Sequence, residues 1–149
     1  MTLWRVSNHA ALDGGGLRAP GRWHTRGRRV VYTAPNPATA LLEVLVHAEI
    51  DLEDIPVTFR YLEIEAPESI AVETVEPAAL KPGWRTDAQA TRRIGDEWLE
   101  SGRTALLRVP SAIVPATWNL IVNPRHAEGT AIRVARIHEQ AVDTRLLGR

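Results

Sequence analysis

Arg22, Tyr32 and Glu43 fall in one stretch, Gly21 to Val46, which reads GRWHTRGRRVVYTAPNPATALLEVLV. An arginine between glycine and tryptophan suits a phosphate, because the guanidinium fork matches phosphate oxygens two at a time. A tyrosine ending an apolar strand offers a flat ring for stacking. A glutamate among Leu41, Leu42, Val44 and Leu45 is costly to bury unless its charge is needed. Together these side chains suit a phosphorylated, base-containing molecule. For Glu43 two readings stand side by side: an enclosed carboxylate, or a charge on an exposed stripe shared with Thr39 and His47. Arg5, inside the apolar run LWRV, is a further candidate, with Glu43 as a candidate ion-pair partner. Arg18, Arg26, Arg28 and Arg29 complete a basic run without an acidic residue, and Arg26, Arg28 and Arg29 read best as a solvated loop.

The elements that must position these residues follow from patterning. Leu3 to Val6 and Arg29 to Thr33 are expected strands, with a glycine-rich loop between them. Asn36-Pro37 starts a helix over Pro37 to about Ala48, as N-cap and first helical residue. Its Ala38, Leu41, Leu42 and Leu45 have core-face spacing, and the helix is expected to be largely buried. Val57 to Glu65 and Ile70 to Thr74 read as strands. Thr86 and Gln89 form a capping box for a helix with Ala90, Ile94 and Trp98 on its inner side, stopped by Gly102. Ala105 to Val109, Trp118 to Val122 and Ile132 to Ile137 complete the strands. Two helices among irregularly ordered strands predict an α+β fold with a mixed or antiparallel sheet and packed helices, in a single domain over residues 1–149.

Composition narrows the function classes. The chain has 149 residues, 44% of them hydrophobic, and eighteen Lys+Arg balance eighteen Asp+Glu. Such a balance gives no overall field toward nucleic acid or anionic lipid. The absence of cysteine removes disulfides, thiolate metal sites and a cysteine nucleophile. With neither a signal-like nor a membrane-spanning stretch, the expectation is a cytoplasmic protein. Gly14 to Ala19 matches a dinucleotide-binding G-x-G-x-x-A, but Pro20-Gly21 blocks the helix it must open. There is no phosphate-binding G-K-[ST] loop, and the five histidines lack metal-ligand spacing, so no metal is expected. Ser111, in VPSAIVP, reads as a turn residue. Asn119, Asn123 and His126 place polar groups at the ends of an apolar strand.

Six pieces in order, namely LWRV, GRW…G…VVYTA, ALLEVLVH, IGDEWL, VPSAIVP and NLIVNPRH, resemble the RES domain, whose members are mostly toxins of bacterial toxin–antitoxin pairs. They run from Leu3 to His126. His24 departs from the asparagine common after GRW in that family. The resemblance implies a fold related to the ADP-ribosyltransferase catalytic core and an activity that destroys NAD+. By that match Arg5 and Arg22 would hold the pyrophosphate or adjacent groups, and Tyr32 would stack on nicotinamide or its ribose. Glu43 would act on that ribose, Ser111 would complete the pocket, and Asn119 is a further candidate.

The implied reaction breaks the bond between nicotinamide and ribose, with water, inorganic phosphate or a protein side chain as acceptor. NAD+ is then substrate and no other cofactor is expected. The implied partner is an antitoxin with a helix-turn-helix DNA-binding region. Two rivals remain: an RNA-binding or RNA-cleaving toxin working through the Arg18–Arg29 run, and a non-catalytic interaction domain.

Overall fold

The computed structural model describes residues 1–12, 15–47 and 57–147. Among the described residues, seven strands make two sheets. The first contains β1 (Thr2–Val6), β3 (Thr58–Glu65) and β7 (Arg133–Ala141), antiparallel in the order β1-β3-β7. The second, ordered β2-β6-β5-β4, contains β2 (Val31–Thr33), β6 (Trp118–Val122), β5 (Leu106–Pro110) and β4 (Val72–Thr74); its β4/β5 pair is parallel and the rest antiparallel. With α1 (Pro37–His47) and α2 (Ala88–Ser101), this is the expected α+β class with mixed and antiparallel sheets. Among the described residues, no helix is long and apolar enough to cross a membrane.

The second sheet is covered on both faces, which explains its unbroken apolar runs. Leu106, Leu120 and Val122 point toward Leu3, Leu62 and Ile64 of the first sheet. Their neighbours Leu107, Val109 and Ile121 point the other way, against Trp23, Trp84 and Trp98. Alternation along a strand delivers side chains to both layers. Strand β3 divides its faces in the same manner: Leu62 and Ile64 enter the inter-sheet core, whereas Phe59 and Tyr61 join Ala34 and Ala40 under α1.

Two contacts bring the sequence-distant site residues together. Trp4 and Ala34 exchange both backbone hydrogen bonds at 2.8 Å, stitching β1 to the end of β2 and setting Arg5 beside Tyr32. Asn36 caps α1 by accepting the Thr39 N–H at 2.8 Å, which fixes how that helix leaves β2.

Both helices differ in part from the expected ones. In α1, Ala38 is exposed, Leu42 and Leu45 are half-buried, and Ala40 is the residue fully enclosed. The helix is rotated so that Ala40, Glu43 and Val44 face inward, and it is not largely buried. In α2 the N-cap is Asp87, which accepts the Gln89 N–H; the Thr86 hydroxyl is used by the Gly83 carbonyl, so no capping box forms. The fully buried residues of α2 are Thr91, Gly95 and the expected Trp98, with the expected Ile94 partly buried against the same core, and Gly102 ends the helix in the left-handed conformation at φ 62°. Expected Ala48 lies outside the described residues.

Candidate functional site

The GRWH segment is a tight two-residue turn in which the Gly21 N–H donates to the His24 carbonyl at 3.1 Å. Trp23 drives its ring into the core against Trp84, leaving Arg22 on the opposite side of the turn. Helix α2 then holds this turn residue by residue. The Arg92 Nε–H donates to the Gly21 carbonyl at 2.7 Å, and the Thr91 hydroxyl donates to the Arg22 carbonyl at 2.5 Å. Asp96 accepts the Thr25 N–H and hydroxyl. At Gly95 the helix passes so close that an added Cβ would lie 1.6 Å from the Trp23 carbonyl oxygen.

A cavity of about 320 Å³ opens between this turn, β1, β2 and α1. Arg5, Arg22, His24, Tyr32, Glu43 and Asn119 all line it. The structure therefore gathers five of the six residues singled out from sequence into one cleft and adds His24.

Glu43 is half-buried and turned into the cavity. Its Oε1 accepts from the Asn119 amide Nδ2 at 2.8 Å and from the Ser111 hydroxyl at 3.2 Å. Asn119 Oδ1 has no hydrogen-bond partner among the described residues, so the carboxylate fixes which way this amide points. Ser111 is 2% exposed and is not part of the cavity wall. It stands behind Glu43, accepting the N–H groups of Ile113 and Val114 at 3.1 Å while donating to the carboxylate. Its link to the cavity is through Glu43, whose carboxylate it supports. Ser111→Ala should lower stability by about 1 kcal/mol or more, because two part-buried N–H groups lose their acceptor. A thermal melt checks this, and an unchanged midpoint would contradict it.

Among the described residues, the two arginines of the cavity wall, Arg5 and Arg22, make no ion pair. Arg5 Nη1 donates to the Tyr32 carbonyl at 3.0 Å, and among the described residues Arg5 has no ion pair, with Glu43 or otherwise. Burial lowers its pKa, a strain that a bound anion would relieve. Arg22 makes one long contact, Nη1 to the Trp84 carbonyl at 3.4 Å. Arg28, by contrast, is tied to Asp96 and Glu100, bracing the loop against α2.

Tyr32 is held at both ends. Its hydroxyl accepts the Trp23 N–H at 3.1 Å and meets His24 Nδ1 at 2.6 Å. Burial raises its pKa well above the ordinary value, so the ring is a fixed wall and its hydroxyl stays protonated. The sequence marked His24 only as a departure from the family's asparagine, since its partners become neighbours only when β2 folds back on the turn.

The RES domain model matches residues 2–144. A protein named Toxin Res from Pseudomonas putida is 46% identical over 147 residues, covering 98% of this chain and 99% of the relative. A protein named Prs ADP-ribosylating toxin from a Sphingobium species is 34% identical over 159 residues, covering 98% and 96%. Among solved structures, the M. tuberculosis MbcT–MbcA toxin–antitoxin complex contains a chain with the same fold, at TM-score 0.75 and 19% identity over 94% of this chain and 84% of that one. The sequence match along nearly the whole chain shows that this protein belongs to the RES domain family.

Proposed function

We propose that this protein is a cytoplasmic toxin of a toxin–antitoxin pair that consumes NAD+ by cleaving the bond between nicotinamide and ribose. The observation that carries the reading is Glu43: an inward carboxylate, aimed by Asn119 and Ser111 into a cavity walled by two arginines that have no carboxylate partner among the described residues. At about 320 Å³ the cavity lies near the lower end of the roughly 300–1,000 Å³ range of small-molecule sites. It would take the nicotinamide riboside end, with the pyrophosphate at Arg22 and Arg5 and the adenosine toward solvent.

In the proposed step the glycosidic C–N bond breaks and its electron pair goes to the pyridinium nitrogen, so nicotinamide leaves neutral. Positive charge builds on the ribose, as in glycoside cleavage. A preorganised carboxylate facing that carbon stabilises the charge without having to reorganise. Tyr32 stacks on the leaving ring or its ribose and takes no proton. Water as acceptor yields ADP-ribose and a proton; inorganic phosphate yields the ADP-ribosyl phosphate. Transfer to a protein side chain is the second reading, favoured by the name of the Sphingobium relative. The RNA reading loses support because Arg28 of the basic run is committed to Asp96 and Glu100. An antitoxin carrying a helix-turn-helix region is the proposed partner, covering the cavity mouth.

Purified protein incubated with NAD+ should release nicotinamide. Parallel reactions with and without phosphate, followed by mass spectrometry of the ribosyl product, identify the acceptor. No release from folded protein under any condition would overturn the reading. Arg22→Ala should raise KM for NAD+ about tenfold or more while hardly changing KM for nicotinamide riboside, which lacks the pyrophosphate. Equal effects on both substrates would show that Arg22 does not read phosphate.

A further inference from the structure

His24 is 2% exposed, an unusual place for an imidazole in a loop. Both partners of Nε2 are carbonyl oxygens, Gly16 at 3.2 Å and Ala19 at 3.1 Å, so Nε2 carries the proton. Nδ1 then accepts from the Tyr32 hydroxyl at 2.6 Å. One ring therefore joins the segment 16–19, which forms the cavity's rim, to the aromatic wall.

Glycines on both sides make room for it. A Cβ at Gly16 would come within 2.9 Å of His24 Nε2, and Gly16 adopts φ +84°. A Cβ at Gly21 would come within 2.8 Å of His24 Nδ1 and 2.4 Å of the Tyr32 hydroxyl. The rim is also tied to the segment before β2, by the Val30 N–H donating to the Gly15 carbonyl at 3.0 Å and the Gly27 N–H donating to the Gly16 carbonyl at 3.3 Å, but its bond to the aromatic wall runs through His24.

We propose that His24 is a positioning residue that holds the 16–19 rim against Tyr32 and thereby sets how tightly the cavity grips its substrate. This rests on reading the cavity as the NAD+ site. Protonation would put a second N–H against the Tyr32 oxygen, which already accepts from Trp23, and would deprive the Tyr32 proton of its acceptor. Burial favours the neutral ring; Asp96 of α2 opposes this and Arg92 of α2 reinforces it. Tyr32 from β2 is the titratable group in direct contact. Because the folded-state pKa lies below the ordinary 6.5, the tie is complete above that pH and is lost as pH falls through the folded value.

Three variants separate the two halves of the tie. Asparagine places its amide oxygen where Nδ1 stands, and glutamine places its amide nitrogen where Nε2 stands. Amide hydrogen exchange over residues 15–20 reads the rim without substrate, and nicotinamide release reads KM and kcat. In His24→Ala and His24→Asn, exchange of the rim amides should quicken about tenfold and KM for NAD+ should rise about tenfold, with kcat changing less than about threefold. His24→Gln should restore both toward the parent, and its KM should lose the parent's rise at acidic pH. If His24→Ala fails to fold, the asparagine–glutamine contrast decides. Exchange and KM equal to the parent in His24→Asn, or no recovery in His24→Gln, would overturn the proposal. Absence of nicotinamide release from the parent would instead sink the NAD+ reading, while exchange still judges the tie.

Discussion

Glu43→Gln should fold like the parent and release nicotinamide at least about a hundredfold more slowly, the usual scale for losing one preorganised charge partner of a transition state. The fold should survive because a glutamine carbonyl can accept from both Asn119 Nδ2 and the Ser111 hydroxyl, as Oε1 does now. What disappears is the negative charge facing the ribose. KM should change little, since the ground-state nicotinamide ring carries its charge one bond away from the carbon that develops it. Parallel thermal melts and initial rates separate the two effects. A Glu43→Gln rate within about tenfold of the parent would assign the chemistry to another group.

Among the described glycines, Gly95 leaves the least room for a methyl, and Gly95→Ala should be strongly destabilising. Propensity alone favours alanine inside a helix by about 1 kcal/mol. Here the added methyl would sit 1.6 Å from the Trp23 carbonyl oxygen, a backbone atom that no side-chain rotation can move. Overpacking of this sort costs about 1–3 kcal/mol and occasionally more, so sterics should outweigh propensity. The expected melting-point drop is about 5 °C or more for a chain of this size. The same displacement moves the turn carrying Arg22, so KM for NAD+ should rise in whatever protein remains folded. A midpoint equal to or above the parent's would mean that α2 does not clamp the GRWH turn.

Much of the architecture was legible because burial leaves a pattern. LLRVP and WNLIV read as strands since their sheet is covered on both faces, and alternate residues meet different cores. Asn36-Pro37 and Gly102 marked helix ends because backbone geometry restricts what stands there. The orientation of α1 was not legible. The rule that charges face outward fails at Glu43, where the carboxylate is turned in and the apolar stripe is displaced around it. The start of α2 was misread because Thr86 and Asp87 are both good caps, and the choice depends on a turn at Gly83.

Within the site, Glu43 stood out as a charge costly to bury, Arg22 as a guanidinium between glycine and tryptophan, and Tyr32 as a flat ring ending an apolar strand. Ser111 did not, because its role depends on a carboxylate sixty-eight positions away. Arg5 was expected to touch substrate or pair with Glu43. Its bond to the Tyr32 carbonyl leaves the ion pair unmade, and its remaining donors belong to a residue of the cavity wall.

The most direct test of the central claim is a crystal structure of Glu43→Gln soaked with NAD+, a protein that should bind the dinucleotide without consuming it. The account predicts the pyrophosphate against Arg22 and Arg5, the nicotinamide ring or its ribose on Tyr32, and the anomeric carbon facing residue 43. NAD+ bound elsewhere on the molecule, or in this cavity with its adenine end at residue 43, would contradict it.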